Sequence, residues 1–231
     1  MSHVTIAHRL LVVAGWIAAS SAYADAKIEA QVRSFEAQPA PRASQVFIIG
    51  ESDIRDWHKV QEQLAPVAVV ARGLEGASVQ TLRLYLDRLA LDYQPSAVVI
   101  AAGQNEAELG APAAGLMRAH RSIVATVRER APDASVYLLG LKPTPANWAS
   151  WHQIQHVNGL LRTHCQASRQ CQYIDVSEVL MDDSGPKEAY FQEDGEHLSA
   201  AGYEALAGAI RPILLETLDK IPRAPTALTV Q

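Results

Sequence analysis

Cysteine is nearly absent, with two residues in a chain of 231. That excludes a cysteine-rich disulfide scaffold. With no Cys or His cluster at ligand spacing to complete it, the pair does not make a metal centre either. Positive charge is also scarce. The formal net charge is -5 and no strongly basic stripe runs along the chain, so a nucleic-acid duplex would be repelled. No internal repeat and no second-domain boundary is visible, and no apolar run reaches the ~20 residues that a bilayer span needs. What remains is the make-up of an ordinary globular protein, 48% hydrophobic and 19% charged, long enough for one α/β domain with a sizeable core.

The first 24 residues read as a signal peptide. His3, His8 and Arg9 make a weakly positive start, Leu10 to Ala19 is apolar, and Ala22-Tyr23-Ala24 has the small-x-small cleavage pattern, which places the cut before Asp25. The expectation is an exported protein, periplasmic or secreted, with no membrane span once the leader is removed. In an oxidising compartment Cys165 and Cys171, six positions apart, read most naturally as a short disulfide loop, two free buried thiols being the alternative.

Residues 25–44 look like a flexible spacer, since Pro39 and Pro41 stand among few bulky apolar residues. The tail 222–231 is similar. Between them, residues 45–221 alternate short apolar runs with helical patterns. Val46–Ile49, Val67–Val70, Ala97–Ala101, Ser135–Leu139 and Tyr173–Asp175 are continuous runs, as expected of strands covered on both faces. Val79, Leu82, Leu86 and Leu89 recur at spacings of three and four, and 53–64, 113–130, 150–165 and 200–220 behave likewise. Alternation at this spacing predicts βαβ units and a mainly parallel, doubly wound five-stranded sheet in one domain. Ligands then bind beyond the carboxyl ends of the strands. Four loops meet that condition: Ser52 follows the first strand, Gly73 to Gly76 the second, Asn105 the third, and Lys142-Pro143-Thr144-Pro145 the fourth.

Those loops carry the parts of an acyl-transfer site. Ser52 stands between an apolar strand and a helical pattern, where free N–H groups favour an alkoxide and its adduct, although a serine there is also a common helix cap. Asp194 and His197 are three apart around Gly195, and Ser199 can cap the next helix. Such a turn holds a carboxylate against an imidazole and fixes its tautomer; a plain solvated turn is the alternative. Gly76 lets a backbone N–H approach an oxyanion, and Asn105 can add a side-chain amide.

Together these segments resemble the SGNH (GDSL-like) hydrolase family. Gly50-Glu51-Ser52 is similar to its Gly-Asp-Ser block, Gly76 falls at its second-block glycine, Gly103-Gln104-Asn105-Glu106 is similar to Gly-x-Asn-Asp, and Asp194-Gly195-Glu196-His197 matches Asp-x-x-His. Lys142-Pro143-Thr144-Pro145-Ala146-Asn147-Trp148 is similar to a stretch found in a subgroup. The resemblance runs from about Val46 to about Leu215. It implies a three-layer flavodoxin-like sandwich and ester hydrolysis without metal or cofactor. Ser52 is then the nucleophile, His197 the base and Asp194 its orienter, with an oxyanion hole from the N–H groups of Ser52 and Gly76 and the Asn105 side chain. Two departures, Glu51 and Glu106 in place of Asp, flank the chemistry and bear on how Ser52 and Asn105 are positioned.

Other residues invite weaker readings. Trp148 and Trp151 can wall a substrate pocket or pack in the core. Lys142 can meet an anionic leaving group or sit as a solvated cap. His152 and His156 are four apart but lack a third ligand. The expected activity is hydrolysis of a small-molecule or glycan ester through an acyl-enzyme on Ser52, a small acyl group being preferred because no long apolar lid is visible. An acyltransferase using the same site and a weakly active binding protein of the same fold are the alternatives.

Overall fold

The computed structural model describes residues 24–220, without the side chains of 217–220. The leader reading for residues 1–23 and the tail 222–231 lie outside the described residues. Helix α1 spans residues 24–36. Then follow β1 (Val46–Gly50), α2 (Ser52–Arg55), α3 (Val60–Gln63), β2 (Val69–Gly73), α4 (Val79–Leu84), α5 (Leu86–Leu89), β3 (Ala97–Ala101), α6 (Gln104–Glu108), α7 (Ala113–Arg130), β4 (Ser135–Leu139), α8 (Trp151–Ser168), β5 (Gln172–Ile174), α9 (Ser177–Leu180), the short hairpin β6 (Met181–Asp182) and β7 (Gly185–Pro186), and α10 (Ala200–Lys220).

The five long strands form one all-parallel sheet in the order β2-β1-β3-β4-β5. Side chains alternate between its two faces, so an unbroken apolar run feeds two cores at once. Phe47, Ile49, Val98, Ile100, Val136 and Leu138 join one cluster with the apolar stripes of α4, α7 and α8. Val46, Ile48, Val99, Tyr137 and Leu139 join the other, under α2, α3, α9 and α10. The result is the expected three-layer sandwich. Ile100 is fully buried, and its truncation to Ala would cost about 2–5 kcal/mol.

The strand order reverses direction beside β1. The chain leaves β1 toward β2 on one side and leaves β3 toward β4 on the other, which opens a crevice between the loops after β1 and β3. Ser52 and Asn105 lie on those two loops. Cys165, near the end of α8, is joined to Cys171, just before β5, by a disulfide.

Three expectations change. Residues 25–44 are not a spacer throughout: residues 24–36 are helical, with Ile28 and Val32 buried in the core and Phe35 packed against it. These residues are spaced by four and three, a helical stripe that the nearby prolines obscured. Strand β2 begins at Val69 rather than Val67, because the ladder to β1 pairs Val46 with Val69 and Gly50 with Gly73, while Val67 is buried outside it. The helix expected over 53–64 is two short helices, with Trp57 buried between them.

Candidate active site

The turn before α10 is closed by Asp194. Its Oδ1 accepts the backbone N–H groups of Glu196 (2.9 Å) and His197 (3.0 Å), and its Oδ2 lies 2.8 Å from His197 Nδ1. Gly195 takes φ +66, open to a residue without Cβ. Its carbonyl accepts from Ala146 N–H at 3.1 Å, which ties the turn to the loop after β4. The N–H of Glu196, then the His197 side chain and the N–H of His197, hold the Asp194 carboxyl down at about 2. The bond to Asp194 raises His197 above its ordinary value against a smaller opposing effect of burial. With Nδ1 engaged, Nε2 is the ring nitrogen left for a reacting group.

Helix α10 links this turn to the serine loop. Ser199 Oγ accepts from Gly202 N–H at 3.2 Å and caps the helix. One turn on, the Tyr203 hydroxyl donates to the carbonyl of Asp53 at 2.9 Å. Asp53 and Asp56, one and four residues past Ser52, both interact electrostatically with His197. Helix α10 thus carries the histidine turn at its start and, one turn on, a contact to the residue after Ser52. Among the described residues no hydrogen bond occupies the Ser52 hydroxyl, the N–H groups of Ser52 and Gly76, or the Asn105 side-chain amide. Donors left open in this way suit a developing oxyanion, and the contact of a serine with its base commonly closes only around substrate.

The two acidic departures turn out to be the struts of the rim. The carboxylate of Glu51, only 4% exposed, accepts from Gly103 N–H (2.7 Å) and more weakly from Asn105 N–H (3.4 Å). It therefore joins the serine strand to the asparagine loop. Burial pushes the Glu51 carboxyl up to about 7 against the pull of the Gly103 N–H, with Glu106 and Asp53 adding to the rise. Glu106 Oε2 accepts from Val79 N–H at 3.1 Å, at the start of the helix that follows Gly76. The sequence marked both positions as departures bearing on how Ser52 and Asn105 are held, without their partners Gly103 and Val79. Their placement beside Ser52 and Asn105 was the available signal.

Lys142 is neither a solvated cap nor open to a leaving group. It is buried, and its Nζ lies 2.7 Å from Asp53 Oδ2. Burial alone would lower its ammonium, but the attraction of and hydrogen bond to Asp53, with Glu108 and Glu196 further off, reverse the direction and raise it. Gln104 clamps the Lys142 backbone from both sides, accepting its N–H (2.9 Å) and donating to its carbonyl (3.2 Å). Lys142, Asp53, Glu51 and Gln104 line a cavity of about 40 Å³, floored by Leu139 and Leu206. Trp151 packs in the core at 7% exposed, while Trp148 lies stacked on it, 38% exposed. His152 and His156 line a shallow groove with Ala107 and Ala113. Among the described residues no group of three or more His, Cys, Asp or Glu could hold a metal ion, and no helix is long and apolar enough to cross a membrane.

A family model described as the GDSL-like Lipase/Acylhydrolase family matches residues 50–205. The chain is 26% identical over 191 residues to the platelet-activating factor acetylhydrolase IB subunit alpha1 of Bos taurus, covering 80% of this chain and 82% of that protein. Among solved structures it is similar to a GDSL-like lipase from Bacteroides thetaiotaomicron (TM-score 0.70, 15% identity, 82% of this chain and 97% of that one). It is also similar to a carbohydrate esterase family 3 protein from Talaromyces cellulolyticus (TM-score 0.64, 19% identity, 77% and 99%).

Proposed function

The chain belongs to the GDSL-like lipase/acylhydrolase family, and as an ester hydrolase of that family we propose that it cleaves esters of small acyl groups through an acyl-enzyme on Ser52. The observation that carries this reading is the Asp194–His197 pair, held at 2.8 Å in a turn that α10 ties to the serine loop.

In the proposed reaction, Ser52 Oγ attacks the acyl carbonyl while His197 Nε2 takes its proton. The N–H groups of Ser52 and Gly76 and the Asn105 amide donate to the oxyanion. One such donor is typically worth ~10²–10³ in turnover. His197 then returns the proton to the departing alcohol oxygen. Water, deprotonated by the same nitrogen, attacks the acyl-serine; the bond to Ser52 Oγ breaks, His197 returns the proton to that oxygen, and the acid leaves. Asp194 stays ionised throughout and stabilises the imidazolium.

The preference for a small acyl group is supported by the likeness to an acetylhydrolase subunit. A sugar alcohol is the favoured partner. The half-exposed ring of Trp148 stands two residues from Ala146, which bonds the histidine turn, and aromatic faces suit sugar rings. The acetylhydrolase and carbohydrate-esterase likenesses point the same way. Export belongs to the same reading, supported by the leader-like start and by a disulfide suited to an oxidising compartment.

The test is direct. Ser52→Ala should abolish release of p-nitrophenol from its acetate ester, and the wild-type kcat/KM should fall steeply from acetyl to hexanoyl esters. Full turnover by the Ser52 variant would refute the mechanism, and a preference for hexanoyl would refute the small acyl pocket.

A further inference from the structure

The residue before Gly76 is held from outside the site. Gln31, on α1, closes both backbone groups of Glu75: its Oε1 accepts the Glu75 N–H at 2.8 Å and its Nε2 donates to the Glu75 carbonyl at 3.2 Å. The Glu75 carboxylate is gripped as well, by Lys27 of α1 at 3.0 Å and by Arg55 of α2 at 2.7 Å. Exposed ion pairs of this kind hold weakly. The paired amide bonds fix the two peptide planes on either side of Glu75, and the second of these carries the Gly76 N–H.

Gly76 needs such an external hold. It takes φ +76, and nothing lies within 4 Å of where a Cβ would stand, so no packing of its own fixes it. Its direction is set by its neighbours, Ala77 buried on one side and Glu75 on the other. The holding element is itself anchored. Ile28 and Val32 are sunk in the core, and Arg88 binds Glu29 and Glu36 at 2.8 and 2.7 Å on the same helix.

We infer that Gln31 is a positioning residue: it holds Glu75 so that the Gly76 N–H points at the oxyanion, an assignment that rests on the hydrolase reading above. Helix α1 is then a working part of the enzyme, although none of its residues touches substrate.

Two variants of the full-length chain test this, Gln31→Ala and Gln31→Met, the second keeping the bulk of the side chain while removing its hydrogen bonds. Turnover of p-nitrophenyl acetate is expressed per Ser52 labelled at completion by a fluorophosphonate, so that loss of folded protein does not count. Both variants should lose about tenfold in kcat with KM within about twofold, and phenylboronate, whose adduct mimics the oxyanion, should bind more weakly by a similar factor. Val127→Ala is the control: it truncates a buried side chain of α7 that has no part in holding Glu75, and should lower Tm while leaving kcat unchanged. The inference is overturned if both Gln31 variants keep wild-type kcat and boronate affinity, or if Val127→Ala loses as much kcat as they do. Ser52→Ala separates the two levels. If that variant is inactive and the Gln31 variants are unaltered, only the positioning role falls; if it retains wild-type turnover, the hydrolase mechanism falls first.

Discussion

The Lys142 ammonium sits 2.7 Å from the carboxylate of Asp53, the residue directly after Ser52. The loop after β4 is thereby fastened to the loop after β1 by a part-buried pair of charges, Lys142 the more enclosed of the two. The other oxygen of Asp53 is buried without a hydrogen-bond partner among the described residues, so Lys142 is the main compensation this carboxylate has.

Replacing Lys142 by Met should accordingly destabilise the fold by about 3–5 kcal/mol, since it strands a buried negative charge. The double variant Lys142→Met/Asp53→Asn should recover at least half of that loss. Urea unfolding of the single and double variants measures both. A single variant as stable as wild type would mean that Asp53 finds water instead.

The acid limb of the rate profile reports on Asp194. A base must be neutral to take a proton, and His197 is raised above its ordinary 6.5, first by the bond to Asp194. Wild-type kcat/KM should rise with pH through a midpoint above 6.5. In Asp194→Asn the charge is gone, so the midpoint should move down while the rate falls by about 10²–10⁴. A pH–rate series on both proteins decides; an unmoved midpoint would show that another group sets the limb.

Glu51 should make stability fall with pH. Burial pushes its carboxyl up to about 7 in the fold, against an ordinary 4.5 in the unfolded chain. Between those values the folded state therefore holds more protons than the unfolded one, and raising the pH favours unfolding. The loss should reach about 2–3 kcal/mol by pH 8. Glu51→Gln still accepts from Gly103 and has nothing to ionise, so its Tm should stay level between pH 5 and 8 while the wild type falls, apart from changes common to both. Calorimetry across that range is the check.

Gly73→Ala should uncouple stability from fit at the nucleophile. A Cβ there would stand 2.0 Å from the Arg55 backbone nitrogen and 2.6 Å from its Cα, so α2 must move, carrying Ser52 with it. A displacement of ~1 Å can cost ~10²-fold in rate. Steady-state kinetics on the folded fraction should show a kcat loss of that order.

Much of this arrangement was readable in the amino-acid order. Three of the strand runs, at β1, β3 and β4, lie where continuous apolar residues put them, because a strand buried on both faces has no polar side to mask it. The Asp194–His197 contact follows from spacing around a glycine, which is local geometry. Long-range partners were not readable. Nothing near Lys142 in sequence announces Asp53, 89 positions earlier, and Gln31 meets Glu75 across 44. The stripe of Ile28, Val32 and Phe35 was present, but a helix that gains its stability from docking onto a distant sheet leaves only a weak local mark.

All five strands point the same way, so the functional loops crowd one end of the sheet and the turns at the far end carry no chemistry. Residues 131–133 connect α7 to β4 there, with Pro132 and Asp133 exposed. A linker joined at Asp133 would leave the reactive end facing outward, which makes that turn the natural point for immobilising the protein on a bead or fusing it to a carrier.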